Sequence, residues 1–151
     1  MEDIEEQAKK LRKAFIDISK AMKRYEPPEF REYANYSHSQ IEVVMALFEV
    51  KKPSTMGDLE RFTRTVGSAL TRVVDRLVDE DMALRERDGE DRRVVRVSLT
   101  TKGKKIAESI YTAFVKSNVK ILEQITPEER ETFIDIIERI SKSLLSEVER
   151  D

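Results

Sequence analysis

The chain has 151 residues, 39% of them hydrophobic and 38% charged, with no Cys and a formal net charge of -2. That length suits one domain with a modest core, and no apolar run approaches the ~20 residues a transmembrane helix needs. Without Cys there are no disulfides, thiolate metal sites or thiol-based sensing.

The opening MEDIEEQAKK is acidic and helical in pattern, unlike a signal peptide, so a cytoplasmic protein is expected. Ile4, Ala8, Leu11, Phe15, Ile18, Met22 and Tyr25 alternate steps of four and three, a seam that needs another helix against it. Pro27-Pro28 stops this helix, and a loose stretch is expected to Tyr36. Ser37-His38-Ser39-Gln40 then fits a capping box, with Tyr36 and Ile41 spaced as a hydrophobic staple, and Ile41, Val44, Met45 and Phe48 give the new helix its apolar face. His38 is the single His of the chain, and since imidazole ligands come in groups, no metal site is expected from it. Lys51-Lys52-Pro53-Ser54 reads as a turn. Thr55 and Asp58 mark the next helix start, with Leu59 and Phe62 as its inner face.

From Thr55 to Gly103 the order of signals is two short helices, two strands and the start of another helix. The second helix is expected to begin after Thr65 as its cap, and to bury Leu70, Val73, Val74, Leu77 and Val78. Its other face shows Gly67, Ser68, Thr71, Arg72, Asp75 and Arg76, small or able to donate hydrogen bonds, as a helix in a major groove requires. The runs Ala83 to Arg87 and Arg93 to Leu99 flank Asp88-Gly89-Glu90-Asp91-Arg92 and read as a hairpin. Its arginines, Arg85, Arg87, Arg92, Arg93 and Arg96, suit a phosphate backbone or a minor groove. Charge is partitioned accordingly. Arg61 to Lys105 holds twelve Lys or Arg against eight Asp or Glu, a balance of +4, while the rest of the chain carries -6.

Thr100 or Thr101 opens a long helix with Ile106, Ile110, Phe114, Ile121 and Leu122 on one side. Thr126-Pro127-Glu128-Glu129 restarts the chain as a last helix with Phe133, Ile137, Ile140, Leu144 and Val148 on one stripe and Ile134, Ile136 and Leu145 beside it. These stripes exceed what one chain of this size can cover, so a homodimer through the N-terminal helix and the last two is expected. High charge with only five Asn and Gln residues matches heat-adapted proteins.

The chain resembles the MarR family of transcriptional regulators. The resemblance rests on Asp91-Arg92-Arg93 in the hairpin, on Leu99-Thr100-Thr101-Lys102-Gly103 after it, and on Thr71-Arg72-Val73-Val74-Asp75-Arg76-Leu77; by motif it covers roughly residues 37 to 105. It implies a mainly α winged helix-turn-helix fold with a two-stranded β-hairpin wing, flanked by dimerisation helices at both termini. The expected division of this single domain, 1–151, is a DNA-binding part at 37–100 and a helical dimerisation part at 1–26 and 101–151. It further implies that Arg93 reaches the minor groove and that Asp91 holds the wing through an ion pair. Two departures stand out: Arg64 between the helices of the motif and Asp81 after the second, where the family usually has Gly. Asp tolerates the left-handed conformation better than most residues.

The expected function is a dimeric DNA-binding regulator, a repressor by family analogy, on near-palindromic double-stranded DNA with half-sites about 34 Å apart. Base contacts fall to Ser68, Thr71 and Arg72, the wing contact to Arg92 and Arg93, and phosphate contacts to Arg64, Arg76 and Lys102. The resemblance also implies a small effector, often an aromatic acid. Tyr33, Tyr36, Phe15, Arg12 and Arg31 are aromatic or cationic near the junction where it would sit, but no pocket motif assigns them. The alternative is a winged helix that binds other proteins. The carboxylates lie on solvated faces or opposite arginines, and neither a Ser/His/Asp set nor a phosphate loop is present, so no catalytic residue, cofactor or membrane partner is expected.

Overall fold

The first apolar seam forms α1 (Ile4–Arg24) in the computed structural model, which describes residues 3–25 and 27–148. Residues 1, 2, 26 and 149–151 of the expected helical parts, and the Val148 side chain, lie outside the described residues. The stretch expected to be loose is instead a 3₁₀ helix, Pro28–Tyr33, started by a Pro that lacks the N–H a first turn leaves unused. It delivers Tyr33 into the core, where the phenol hydrogen-bonds Ser109.

The capping box at Ser37 forms in full. Gln40 N donates to Ser37 Oγ (3.2 Å) and Ser37 N to Gln40 Oε1 (2.9 Å), opening α2 (His38–Val50). Buried residues run from Val43 through Leu47, a wider band than the four-residue stripe read from spacing. The reason is tertiary: α2 packs against α3 (Met56–Phe62), α4 (Gly67–Asp79) and β3 (Val95–Leu99), so it is covered on several sides. Lys51 ends α2 with φ of 56°, in the left-handed region.

Thr55 and Asp58 exchange capping bonds of 3.1 and 2.9 Å at the head of α3. Leu59 is fully buried, but Phe62, expected beside it, is 53% exposed. Phe62 lies three positions further on, at the end of a helix of seven residues and beyond the core.

The wing is a two-stranded antiparallel hairpin, β2 (Ala83–Arg87) with β3, running from Ala83↔Leu99 to Arg87↔Val95. A third strand joins it where a turn was read: β1 (Ser54–Thr55) pairs antiparallel with β3 as Ser54↔Val97 and Thr55↔Arg96, giving the order β1-β3-β2. Two residues are too few to show alternation, and only the neighbouring β3 makes them a strand. The second run begins at Val95, two residues later than the sequence suggested.

After β3, α5 (Thr101–Leu122) begins with Thr100 as its cap. Thr100 Oγ1 accepts from Gly103 N (2.9 Å) and donates to Asp81 O (2.7 Å). A Cβ at Gly103 would stand 1.9 Å from Met82 O, so the helix approaches the β2 lead-in closely enough to admit only glycine. Asp81 takes φ of 58°, the conformation that Asp tolerates.

Met1–Ala113 forms one compact unit and Phe114–Asp151 a second. The first contains the core, in which Val43, Leu59, Leu70, Val74, Leu77 and Val97 are fully buried. The second joins the end of α5 to α6 (Pro127–Val148). Thr126 and Glu129 form its capping box (3.3 and 2.8 Å), and Arg130 Nε donates to Leu122 O (2.7 Å).

Candidate nucleic-acid interface

The turn between α3 and α4 is held by carboxylates from elsewhere. Thr63 is extended, its hydroxyl shared between the carbonyls of Leu59 (2.9 Å) and Thr65 (3.0 Å). Glu42 of α2 accepts from Arg64 N (2.9 Å) and Thr65 Oγ1 (3.4 Å). Arg64 is not at positive φ, so glycine is not needed there; the left-handed residue is Gly67, at φ of 57°. Its N–H donates to Glu60 Oε1 (2.7 Å). Thr65 therefore does not cap α4 as expected: Val66 occupies that position with no side-chain bond, and Thr65 is tied to Glu42 instead.

With Leu70, Val74 and Leu77 fully buried, and Val73 and Val78 half-buried, α4 turns Ser68, Thr71, Arg72, Asp75 and Arg76 to solvent. Among the described residues, the Arg72, Arg64 and Arg92 side chains make no ion pair or hydrogen bond, leaving their guanidinium groups available. Thr71 Oγ1 bonds back to Gly67 O (3.3 Å). Arg76 and Lys102 are gathered on one residue. Glu80 accepts from Arg76 Nε at Oε1 (3.0 Å), from the buried Gln40 at Oε2 (3.1 Å), and from Lys102 Nζ at its carbonyl (2.7 Å). This hub joins α2, α4 and α5, and residues 40, 80 and 102 carry no local pattern that would reveal it.

In the wing, Asp91 engages Arg93 with both oxygens. Oδ1 accepts from Arg93 N (3.0 Å) and Nε (3.1 Å), and Oδ2 from Nη2 (3.2 Å). The Arg93 guanidinium and backbone N–H hold this carboxyl below its usual range, while the Arg93 side chain stays 91% exposed. Cross-hairpin support comes from a residue that the sequence marked only as part of the hairpin turn. Asp88 pairs with Arg96 and accepts the N–H groups of Glu90 (2.9 Å) and Asp91 (3.2 Å). Arg96 first, then those two N–H groups, lower its carboxyl to about 2. An Asp opening a turn and bonding the backbone two residues on is the signal that could have found it. Arg85 of β2 pairs with Asp75 of α4, a side-chain link between the wing and the helix before it.

The aromatic and cationic residues considered for an effector are dispersed in role. Tyr33 is a core residue, Tyr36 is half-buried, and Phe15, Arg12 and Arg31 are exposed. His38 is exposed, and no group of three or more His, Cys, Asp or Glu that could hold a metal occurs among the described residues. No helix of the described residues is long and apolar enough to cross a membrane.

A helix–turn–helix with one face buried and the next solvated, followed by a basic hairpin, is a winged helix-turn-helix. The model of the transcriptional regulator SarA/Rot family matches residues 31–110, and the chain belongs to that family. It is 27% identical over 116 residues to an uncharacterized HTH-type transcriptional regulator, YdgJ, of Bacillus subtilis strain 168, covering 77% of this chain and 70% of that one. Its fold is shared by the S. aureus MepR–DNA complex, with TM-score 0.67, 22% identity, and 87% and 95% of the two chains covered. A mutant MarR from E. coli matches with TM-score 0.70, 21% identity, and 86% and 95% covered.

Proposed function

We propose that this regulator is a homodimer that binds near-palindromic double-stranded DNA and represses transcription from it. The observation that carries the reading is α4: its inner face is sealed in the core while Ser68, Thr71 and an unengaged Arg72 stand together outside. Arg at such a position can grip guanine O6 and N7, and the hydroxyls can serve either strand. Arg92 and Arg93 would enter the minor groove and Arg64, Arg76 and Lys102 would set register on phosphates, the last two moving with Glu80. The MepR neighbour, solved with DNA, supports this use of the fold.

Dimerisation rests on apolar surface. No residue of α1 is buried, and Leu11, Phe15, Ile18 and Met22 are exposed; on α6, Phe133, Ile137, Ile140 and Leu144 are about half exposed. A second copy covering these stripes with its own is the isologous solution. The reading part at 37–100 and the dimerisation parts at 1–26 and 101–151 belong to this proposal, as do relief of repression by a small effector, action in the cytoplasm and the absence of a catalytic role.

Selection of bound sites from random duplexes tests it. Two inverted half-sites with centres about 34 Å apart are expected. No enriched sequence, together with a protein partner captured by the same surface, would favour the protein-binding use of the fold and overturn this one.

A further inference from the structure

Between residues 28 and 100, three large apolar side chains stand exposed among the described residues: Phe62, Val66 and Val95. Two of them flank the turn that leads into α4, Phe62 closing α3 and Val66 standing just before Gly67. Val66 lies four residues before the buried Leu70, so helical spacing would continue the buried stripe through it. The structure takes it off that stripe. Its backbone is extended, with φ of -130° and ψ of 162°, and the residue is 56% exposed.

The residue type also breaks a local rule. A helix start favours Ser, Thr, Asp or Asn, whose side chains accept from its free N–H groups, and Val ranks among the poorest choices there. Val66 makes no such bond and is not among the residues packed on the core. The first free donor of α4, Gly67 N–H, is taken instead by Glu60 Oε1 (2.7 Å). A carboxylate on that N–H repels phosphate from a place where helix starts otherwise attract it. What suits Val66 is therefore an uncharged, apolar edge. Nothing lies within 4 Å of where a Cβ on the following Gly67 would stand, so such an edge has room to come close. Local rules broken without a packing gain cluster at functional positions.

We propose that Val66 reads thymine, its methyl groups resting on the C5-methyl of one base in each half-site. That methyl is the apolar group a base pair displays in the major groove, and the first residues of a reading helix are those that reach base edges. Val brings no donor or acceptor, so it discriminates by apolar contact where Ser68, Thr71 and Arg72 use hydrogen bonds. This role for Val66 rests on the proposed use of α4 and deepens it by naming a base that the polar residues do not select.

The experiment takes the duplex enriched by site selection and replaces each thymine in turn with deoxyuridine, which removes the C5-methyl and leaves the hydrogen-bonding edge intact. Affinity of the full chain is read by fluorescence anisotropy at one fixed salt concentration. Wild type should lose about fourfold at one thymine of each half-site, the factor that goes with one buried methyl group. Val66→Ser removes both methyl groups and supplies a favoured helix start, so that loss should vanish while the melt stays level or rises. Phe62→Ala, at the other end of the turn, should keep it. Sensitivity that survives Val66→Ser, or is lost in Phe62→Ala instead, overturns the assignment. So does a Val66→Ser chain that melts lower than wild type, which would make Val66 a packing residue. A sharply selected site with no response to deoxyuridine at any thymine sinks this role of Val66 and leaves the proposed function standing, whereas no enriched duplex at all sinks both.

Discussion

Replacing Gly103 with Ala tests how tightly α5 is docked. The new Cβ would meet Met82 O at 1.9 Å, Met82 C at 2.9 Å and Leu99 Cδ2 at 3.3 Å, and contacts under 3.0 Å are essentially never seen. Two of these neighbours are backbone, so relief requires α5 or the β2 lead-in to retreat by about 1 Å, the kind of backbone shift that overpacking a close contact forces. The retreat would strain two bonds that fasten the helix start, Thr100 N to Met82 O (3.1 Å) and Thr100 Oγ1 to Asp81 O (2.7 Å). Overpacking costs about 1–3 kcal/mol and a weakened hydrogen bond about 1, against at most about 1 kcal/mol gained from alanine's helix propensity. The net is about 1–4 kcal/mol of destabilisation, or a fall in Tm of about 2–16 °C for a chain of this length. Thermal melts of wild type and variant at one fixed protein concentration measure it. Two other glycines calibrate the scale. Gly67→Ala meets open space but keeps φ of 57°, so only the left-handed cost of about 1–2 kcal/mol applies. Gly57→Ala makes an ordinary 3.8 Å contact with Thr55 Oγ1 and should be neutral or stabilising by up to about 1 kcal/mol, alanine's helix propensity. If Gly103→Ala melts with Gly57→Ala, the close approach is not what glycine is there for.

Arg72→Ala should flatten base preference at one position of each half-site, by about 1–3 kcal/mol of lost discrimination, whereas Arg93→Ala should weaken all duplexes alike; unchanged preference in the Arg72 variant would refute its role in readout. Affinity for duplex DNA should fall steeply and linearly in log–log form with salt, and a flat response would show that the basic module does not meet phosphates. Since the fold lowers the Asp88 carboxyl from 3.8 to about 2, chiefly through Arg96, its contribution to the wing is whole above pH 3.8 and is lost as pH falls through about 2. The Glu90 and Asp91 amide signals should therefore hold steady down to about pH 4, and a midpoint near that value would contradict the pairing. Unfolding should come above the mesophile range of about 45–65 °C if the high charge and scarce amides mark heat adaptation, and a melt inside that range counts against it.

Much of this was legible because it is local. Hydroxyl and acid or amide three residues apart located the starts of α2, α3 and α6, since a capping box closes within four residues. Spacing alone found the buried face of α4, and hence its exposed one, because a helix fixes both at once. The Leu99-Thr100-x-x-Gly103 run has a physical content that the structure supplies: a buried strand end, a helix cap and a residue with no side chain where α5 meets Met82.

Tertiary structure decided whatever depends on partners distant in the chain. Thr65 looks like a cap until Glu42, twenty-three residues away, takes its hydroxyl. Lys102 looks like a free cation until the carbonyl of Glu80, a residue whose carboxylate also accepts from Gln40, takes its ammonium. Ser54 and Thr55 become a strand only because β3 lies beside them, and α2 buries a broad band only because three elements close over it. A sequence states which groups can bond and which faces are apolar within a few turns. Which of several competent partners a group takes is settled when the chain brings them to within about 3 Å, and that choice is made by packing.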